Sequence, residues 1–122
     1  MSDSPAARGE PRARGDASDE TVVAEDARVQ DLLDVVDDPD CRAILAVTSE
    51  EARSAGEISD ACDIALSTTY RKLHLLTDAE LLEERIRVRR TGKHVSEYYR
   101  VVEHIAVTIT AAGDTELVVA RR

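Results

Sequence analysis

Residues Ser67–Val102 read STTYRKLHLLTDAELLEERIRVRRTGKHVSEYYRVV. Within this stretch the apolar period changes. Tyr70, Leu73 and Leu76 recur at helical spacing and predict the core-facing side of a helix over about 67–79, with Ser67 as its cap. After Leu82 the period drops to two. Ile86 and Val88 alternate with Arg85, Arg87 and Arg89, which predicts a half-buried strand. Thr91-Gly92-Lys93-His94 supplies a turn. Val95, Glu97, Tyr99 and Val101 then alternate with Ser96, Tyr98, Arg100 and Val102 in a returning strand. The stretch is a helix followed by a β-hairpin.

Three further helices are expected upstream. Val29, Leu32, Leu33 and Val36 fall at i, i+3, i+4 and i+7, so a helix begins near Ala24. Asp38-Pro39-Asp40 starts the next: Asp38 caps, Pro39 suits the first helical position, and Asp40 complements the positive end. It runs to about Thr48 and buries Ile44, Leu45 and Val47. Ser54 and Glu57 form an S-x-x-E capping box. A short helix there reaches about Cys62, with Ile58 and Ala61 inward. Downstream, Ile105, Val107 and Ile109 alternate with Ala106, Thr108 and Thr110. Ala111–Asp114 makes a turn, and Leu117–Ala120 pairs back.

These elements predict an α+β fold with three to four helices, a β-hairpin and extra C-terminal strands. The organisation is a disordered tail over 1–23, a main domain over 24–103 and a C-terminal β-hairpin extension over 104–122. Residues 1–20 hold two of the three Pro and two of the five Gly and no apolar face. Arg8, Arg12 and Arg14 in the tail are flanked by acids.

Charge is unevenly distributed. The 122-residue chain has a formal net charge of −9. Residues 1–65 carry 6 cations and 17 acids, residues 66–100 carry 8 and 5, and residues 101–122 carry 2 and 3. Five cations and no acid lie between Arg85 and His94. A basic segment in an acidic chain suits a polyanion. With three Tyr and no Trp or Phe, stacking on single-stranded bases is poorly supplied, although Tyr98 and Tyr99 keep RNA open.

The order of elements and several local motifs resemble the ArsR-type winged helix-turn-helix transcriptional regulators. Leu32-Leu33-Asp34 leading into Asp38-Pro39-Asp40-Cys41-Arg42-Ala43-Ile44-Leu45 is similar to their opening, with its R-x-I-L helix. Ser54-Ala-Gly-Glu-Ile is similar to the start of their second helix, and Ala65-Leu-Ser-Thr-Thr-Tyr-Arg-Lys-Leu to the entry of their recognition helix. Leu76-Thr-Asp-Ala-Glu-Leu-Leu resembles the L-x-x-A-G-L-L that opens the wing, with Glu80 where Gly is usual. The match covers about residues 29–102.

The resemblance implies sequence-specific double-stranded DNA binding. The recognition helix enters the major groove, and the basic wing, about residues 85–95, lies on the backbone or in the minor groove. At 100° per residue Thr68, Arg71 and Leu75 lie opposite Leu73, with Ser67, Lys72 and His74 on the flanks. Thr68 and Arg71 are then base readers, and Leu75 a thymine-methyl contact or an ordinary exposed Leu. Ser67 and Lys72 are phosphate contacts. Arg89, Arg90, Thr91, Lys93 and His94 form the wing tip. For Arg85 and Arg87 a solvated outer face suits as well.

A homodimer is expected, with the helix at Val29–Val36 as its candidate surface. The competing reading is a winged-helix docking module of the transcription machinery that binds protein and does not read DNA. Enzyme activity is not expected: no G-x-S-x-G, P-loop or H-E-x-x-H occurs. No metal or other cofactor is expected, because Cys41 and Cys62 stand far apart and the three His are scattered. No stretch approaches a membrane span, no secretory leader is visible, and the two Cys form no pair motif. A cytoplasmic, membrane-free protein is expected.

Fourteen of the sixteen cations are Arg. Such acid richness with little Lys resembles proteins of salt-accumulating archaea. In molar KCl, phosphate contacts weaken and base-edge contacts must contribute more.

Overall fold

The computed structural model describes residues 19–122. The chain runs β1 (Glu20–Val23), α1 (Asp26–Asp37), α2 (Pro39–Val47), β2 (Arg53–Ser54), α3 (Ala55–Cys62), α4 (Leu66–Asp78), β3 (Leu82–Val88), β4 (His94–Arg100), β5 (Val102–Ile109) and β6 (Thr115–Arg121). Two antiparallel sheets form, in the orders β1-β6-β5 and β2-β4-β3.

Local chemistry explains most boundaries. Pro39 disfavours a helical conformation for the residue before it. Asp38 is accordingly extended and ends α1. The same Asp38 begins α2, accepting from Asp40 N at 2.8 Å and Cys41 N at 3.3 Å. The Arg42 guanidinium donates to Val36 O at 2.7 Å and so caps a last-turn carbonyl of α1. The capping box forms in both directions: Glu57 N donates to Ser54 Oγ at 3.2 Å, and Ser54 N to Glu57 Oε1 at 2.9 Å. That hydrogen bond from the Ser54 backbone holds the Glu57 carboxyl below its usual range, with Arg53 and Arg89 adding to it.

The end of α4 is a Schellman closure. Glu80 N donates to Thr77 O and Leu81 N to Leu76 O, both at 3.0 Å. Glu80 takes the left-handed position at φ 62°. Leu81 and Leu76, both fully buried, make the apolar contact that accompanies this motif. A residue type that bears a steric cost at this position is therefore held by the packing of its neighbours. Arg121 also reaches over Glu80, with Nη2 3.3 Å from Oε1.

The core lies where the helices meet the β1-β6-β5 sheet. Leu32, Ile44, Ile58, Leu76, Leu117 and Val119 are all buried in one cluster. The C-terminal hairpin forms with the expected alternation, but it starts at Val102. It supplies core residues rather than an appendage, since β6 is central in its sheet and packs against α1.

Several expectations are corrected. The segment 1–23 ends in strand β1, not in a tail. The motif Glu20-Thr-Val-Val is too short to signal itself, and it is held by pairing with β6 nearly a hundred residues away. The rest of that segment, with Arg8, Arg12 and Arg14, lies outside the described residues. Helix α4 begins at Leu66, so Ser67 is inside the first turn; Ala65 occupies the cap without a side-chain bond. Ala61 is exposed and Ala55 takes the inward position. Tyr70 is 48% exposed; Thr69 is buried in its place, its hydroxyl donating to Ala65 O at 3.0 Å. The strand holding Ile86 and Val88 is not half-buried, because the hairpin projects beyond the core and leaves both exposed. On α1, Val29 and Leu32 are buried by the chain's own sheet and helices, while Leu33 and Val36 are half-buried.

Candidate nucleic-acid interface

Helix α4 and the β3–β4 hairpin form the face on which the predicted site residues lie. Ser67, Arg71 and Leu75 are exposed on α4, and Thr68 is half-buried. The hairpin turn places Arg89, Arg90, Thr91, Lys93 and His94 together and exposed at its tip. Arg89 N donates to Lys93 O and Gly92 N to Arg89 O, both at 2.8 Å. Gly92, at φ 83°, is required there, since a side chain at that φ is strained.

Lys72 differs from the others. Its Nζ is bonded to Asp38 Oδ2, and its side chain is only 13% exposed. The ammonium ties α4 to the junction of α1 and α2. It holds the Asp38 carboxyl below its usual range; burial opposes this, and the two capping N–H groups support it. Lys72 is a positioning residue in this arrangement, not a surface cation.

Arg85 and Arg87 also have partners. They lie on the strand face shared with Glu97, which is 4% exposed in the middle of β4. Arg87 Nη1 is 3.2 Å and Arg85 Nε 3.9 Å from the Glu97 carboxylate. Arg85 also sits 5.1 Å over the Tyr99 ring, and Tyr99 donates to Glu83 at 2.5 Å. The hairpin's basic character is thus partly offset at its middle and left intact at its tip.

The allocation of cations is selective. Among the described residues, Arg42, Arg53, Lys72, Arg85, Arg87, Arg100, Arg121 and Arg122 each bond a carbonyl or a carboxylate. No such partner is found there for Arg71, Arg89, Arg90 and Lys93, or for Arg28 on α1. Four of those five unpaired cations fall on α4 and the hairpin tip.

Between α4 and the hairpin lies an open groove of about 560 Å³, whose lining includes Tyr70, His74, Glu84, His94, Ser96 and Tyr98. Of these, only His94 was anticipated as a site residue. Tyr70 and His74 are i and i+4 on α4, and Glu84 is paired with Tyr98 across the hairpin. Burial, with Glu84 nearby, raises the Tyr98 hydroxyl above its usual range, so it remains a donor at neutral pH. The i, i+4 spacing is legible in the sequence, but the exposure of Tyr70 is not, because its helical period matches the buried Leu73 and Leu76.

Among the described residues no group of three or more His, Cys, Asp or Glu could hold a metal ion, and no helix is long and apolar enough to cross a membrane. Cys41 is buried, and burial pushes its thiol up to about 11. Cys62 is half-buried and not disulfide-bonded.

Comparison with known proteins agrees with this architecture. A helix-turn-helix domain family model matches residues 36–85, which span α2 to α4 and the start of the hairpin. The crystal structure of NolR from Sinorhizobium fredii is similar at TM-score 0.53 and 18% identity, over 62% of this chain and 71% of that one. A second similar structure is the homodimeric winged helix-turn-helix DNA-binding domain, a fragment of residues 1–100, of a possible ArsR-family transcriptional regulator from Mycobacterium bovis. It matches at TM-score 0.50 and 20% identity, over 61% of this chain and 64% of that one. No curated protein sequence matches the chain. The fold is a winged helix-turn-helix.

Proposed function

We propose that this chain is a sequence-specific double-stranded DNA-binding transcriptional regulator. Helix α4 enters the major groove, Arg71 and Thr68 meet base edges, and Ser67 meets a phosphate. The wing tip, with Arg89, Arg90, Thr91, Lys93 and His94, lies on the backbone or in the minor groove. Leu75 is positioned to meet a thymine methyl. The observation that carries the reading is the placement of unpaired cations: they cluster on these two elements in a chain of net charge −9. A homodimer fits the reading, because two half-sites multiply specificity, and the Mycobacterium bovis neighbour is homodimeric.

The test is selection of bound sequences from a random duplex library, followed by titration of the selected duplex. Arg71→Ala should weaken binding by about 1–3 kcal/mol and relax the preference at one position. Lys93→Ala should weaken all duplexes alike and lower the salt slope by about 1. If no sequence is enriched, DNA reading fails.

One observation favours the rival reading of a protein-docking module. Leu66, Tyr70, Leu75, Ile86 and Val88 are all exposed on α4 and the wing, which is more apolar surface than phosphate contact needs. Under that reading Arg71→Ala leaves partner binding intact.

A further inference from the structure

Strand β5 forms one edge of the β1-β6-β5 sheet. The hairpin closes with Thr110 N donating to Asp114 O at 2.8 Å. Bonded pairs alternate along an antiparallel ladder, so in the observed register Thr108–Glu116, Ala106–Val118 and His104–Ala120 are the bonded ones. The N–H and C=O groups of Ile105, Val107 and Ile109 therefore point away from β6, along the open edge. Among the described residues no strand lies beyond that edge, and no turn or loop bond reaches these groups.

The side chains of the same three residues share one sheet face with Leu117 and Val119. Ile105 reaches the core, whereas Val107 is 57% and Ile109 73% exposed. From Ile105 to Gly113 there is no charged residue, the longest such run in the chain. Edge strands are ordinarily protected by charge, by Pro or by shortness. The other long edge strand, β3, follows that rule, with Glu83, Glu84, Arg85 and Arg87 along it.

We propose that β5 is the contact between two copies of this chain. The two β5 strands pair antiparallel about a two-fold axis at Val107. Val107 of one copy exchanges hydrogen bonds with Val107 of the other, and Ile105 of each with Ile109 of the other. Each edge group then gains a partner, and the β1-β6-β5 sheet continues across the seam. The three apolar side chains of each copy meet on one face, with Ala106 and Thr108 on the other. A strand that pairs with itself makes an isologous, closed contact, which stops at two copies. Self-complementarity selects the second copy as the occupant: with Val107 on the axis, all three outward-facing residues of each copy find a partner in the same strand of the other. Two chains of net charge −9 repel over most of their surface, and the uncharged run from Ile105 to Gly113 is where that repulsion is least. The proposal rests on β5 and stands apart from whether α4 reads DNA.

Sedimentation equilibrium of the full chain gives the test. The unaltered protein should show about twice 13.4 kDa, and Val107→Lys, which sets two ammonium groups face to face at the axis, should show half of that. Val22→Lys, at an exposed position on the opposite edge strand, should remain dimeric. A monomeric unaltered protein overturns the proposal, and so does a Val107→Lys protein that stays dimeric. Amide exchange on the unaltered protein keeps the test decisive if the variant does not fold. Protection of Ile105, Val107 and Ile109 should rise with protein concentration, while that of Ala106 and Thr108 stays constant. No concentration dependence at the three odd positions also overturns it.

Discussion

Asp38 performs two tasks, and the structure separates them. It caps α2 through Asp40 N and Cys41 N, and it holds Lys72 of α4. Asp38→Ala removes both. A lost cap costs about 1 kcal/mol. An ammonium left without its carboxylate, at 13% side-chain exposure, loses a charge-assisted hydrogen bond of about 1.5–3 kcal/mol. Lys72 has a flexible stem and can turn toward water, which favours the lower figure, so the total is about 2.5 kcal/mol. Lys72→Met keeps the cap and the stem packing and should cost about 1–2 kcal/mol. In the double variant no ammonium remains unpaired, so the loss should fall short of the sum by about 1 kcal/mol or more. Asp37→Ala, on the exposed neighbour, should stay within about 0.5 kcal/mol. The assay is urea unfolding at neutral pH, comparing midpoints at constant slope. Acid supplies a second readout. The folded-state pKa of Asp38 is lowered, so its stabilisation is complete above the unfolded carboxyl value and is lost as pH falls through the lowered one. Removing Lys72 takes away the largest lowering cause and should move that loss to higher pH. Strict additivity of the two substitutions, or an acid profile unchanged by Lys72→Met, refutes the coupling.

Glu97→Gln should release Arg85 and Arg87. The Arg side chains are 60% and 66% exposed, so solvent screening limits the stability loss to about 1 kcal/mol, while the salt slope of duplex binding should steepen. An unchanged slope would mean that these two cations never reach DNA. Asp63, left-handed at φ 55°, caps the negative end of α3 with a negative side chain. Asp63→Asn should raise the unfolding free energy by about 0.3–1 kcal/mol, read from denaturant midpoints. For an acid-rich chain of this kind, stability should rise from about 0.1 M to about 2 M KCl as repulsion is screened, and a thermal melt flat across that range would exclude salt adaptation.

Where a feature is held by near neighbours, the sequence shows it. The Asp38-Pro39 junction, the Ser54–Glu57 box, the turn at Gly92 and the alternation of β5 and β6 each rest on residues within a few positions of one another. Glu80 was anticipated as a residue at a position that suits Gly, and its positive φ agrees. Features held by distant partners were not legible. Strand β1 exists through β6. The burial of Lys72 depends on Asp38, 34 residues away. Helical period placed Tyr70 and Leu73 on one apolar side, but it does not say how wide the covered face is. Thr69 fills the inward slot because its hydroxyl bonds back to the Ala65 carbonyl, which makes a polar residue acceptable there. Likewise, alternation in β3 correctly signalled a strand. It carried no information on whether anything covers Ile86 and Val88, since that depends on how far the hairpin extends past the core.

The same distinction reshapes the meaning of the basic segment. Counting Arg85 to His94 as five cations treats them as one patch. In the structure Arg85 and Arg87, the two nearest the sheet, share the one carboxylate of Glu97, and the turn presents the other three. A carboxylate 4% exposed beneath two well-exposed guanidinium groups keeps the hairpin arm from adding indiscriminate attraction to any polyanion. The charge that remains sits at one end of a stiff two-stranded arm, beside a helix whose Lys72 is turned inward and whose Arg71 is turned outward. Attraction confined to a few positioned groups contributes less to non-specific binding than the same charge spread along a strand. Under the proposed DNA-binding reading, it leaves a larger share of the discrimination to Thr68 and Arg71. For a protein of net charge −9, that division would make sequence preference, more than bulk affinity, the quantity the α4 and wing-tip face delivers.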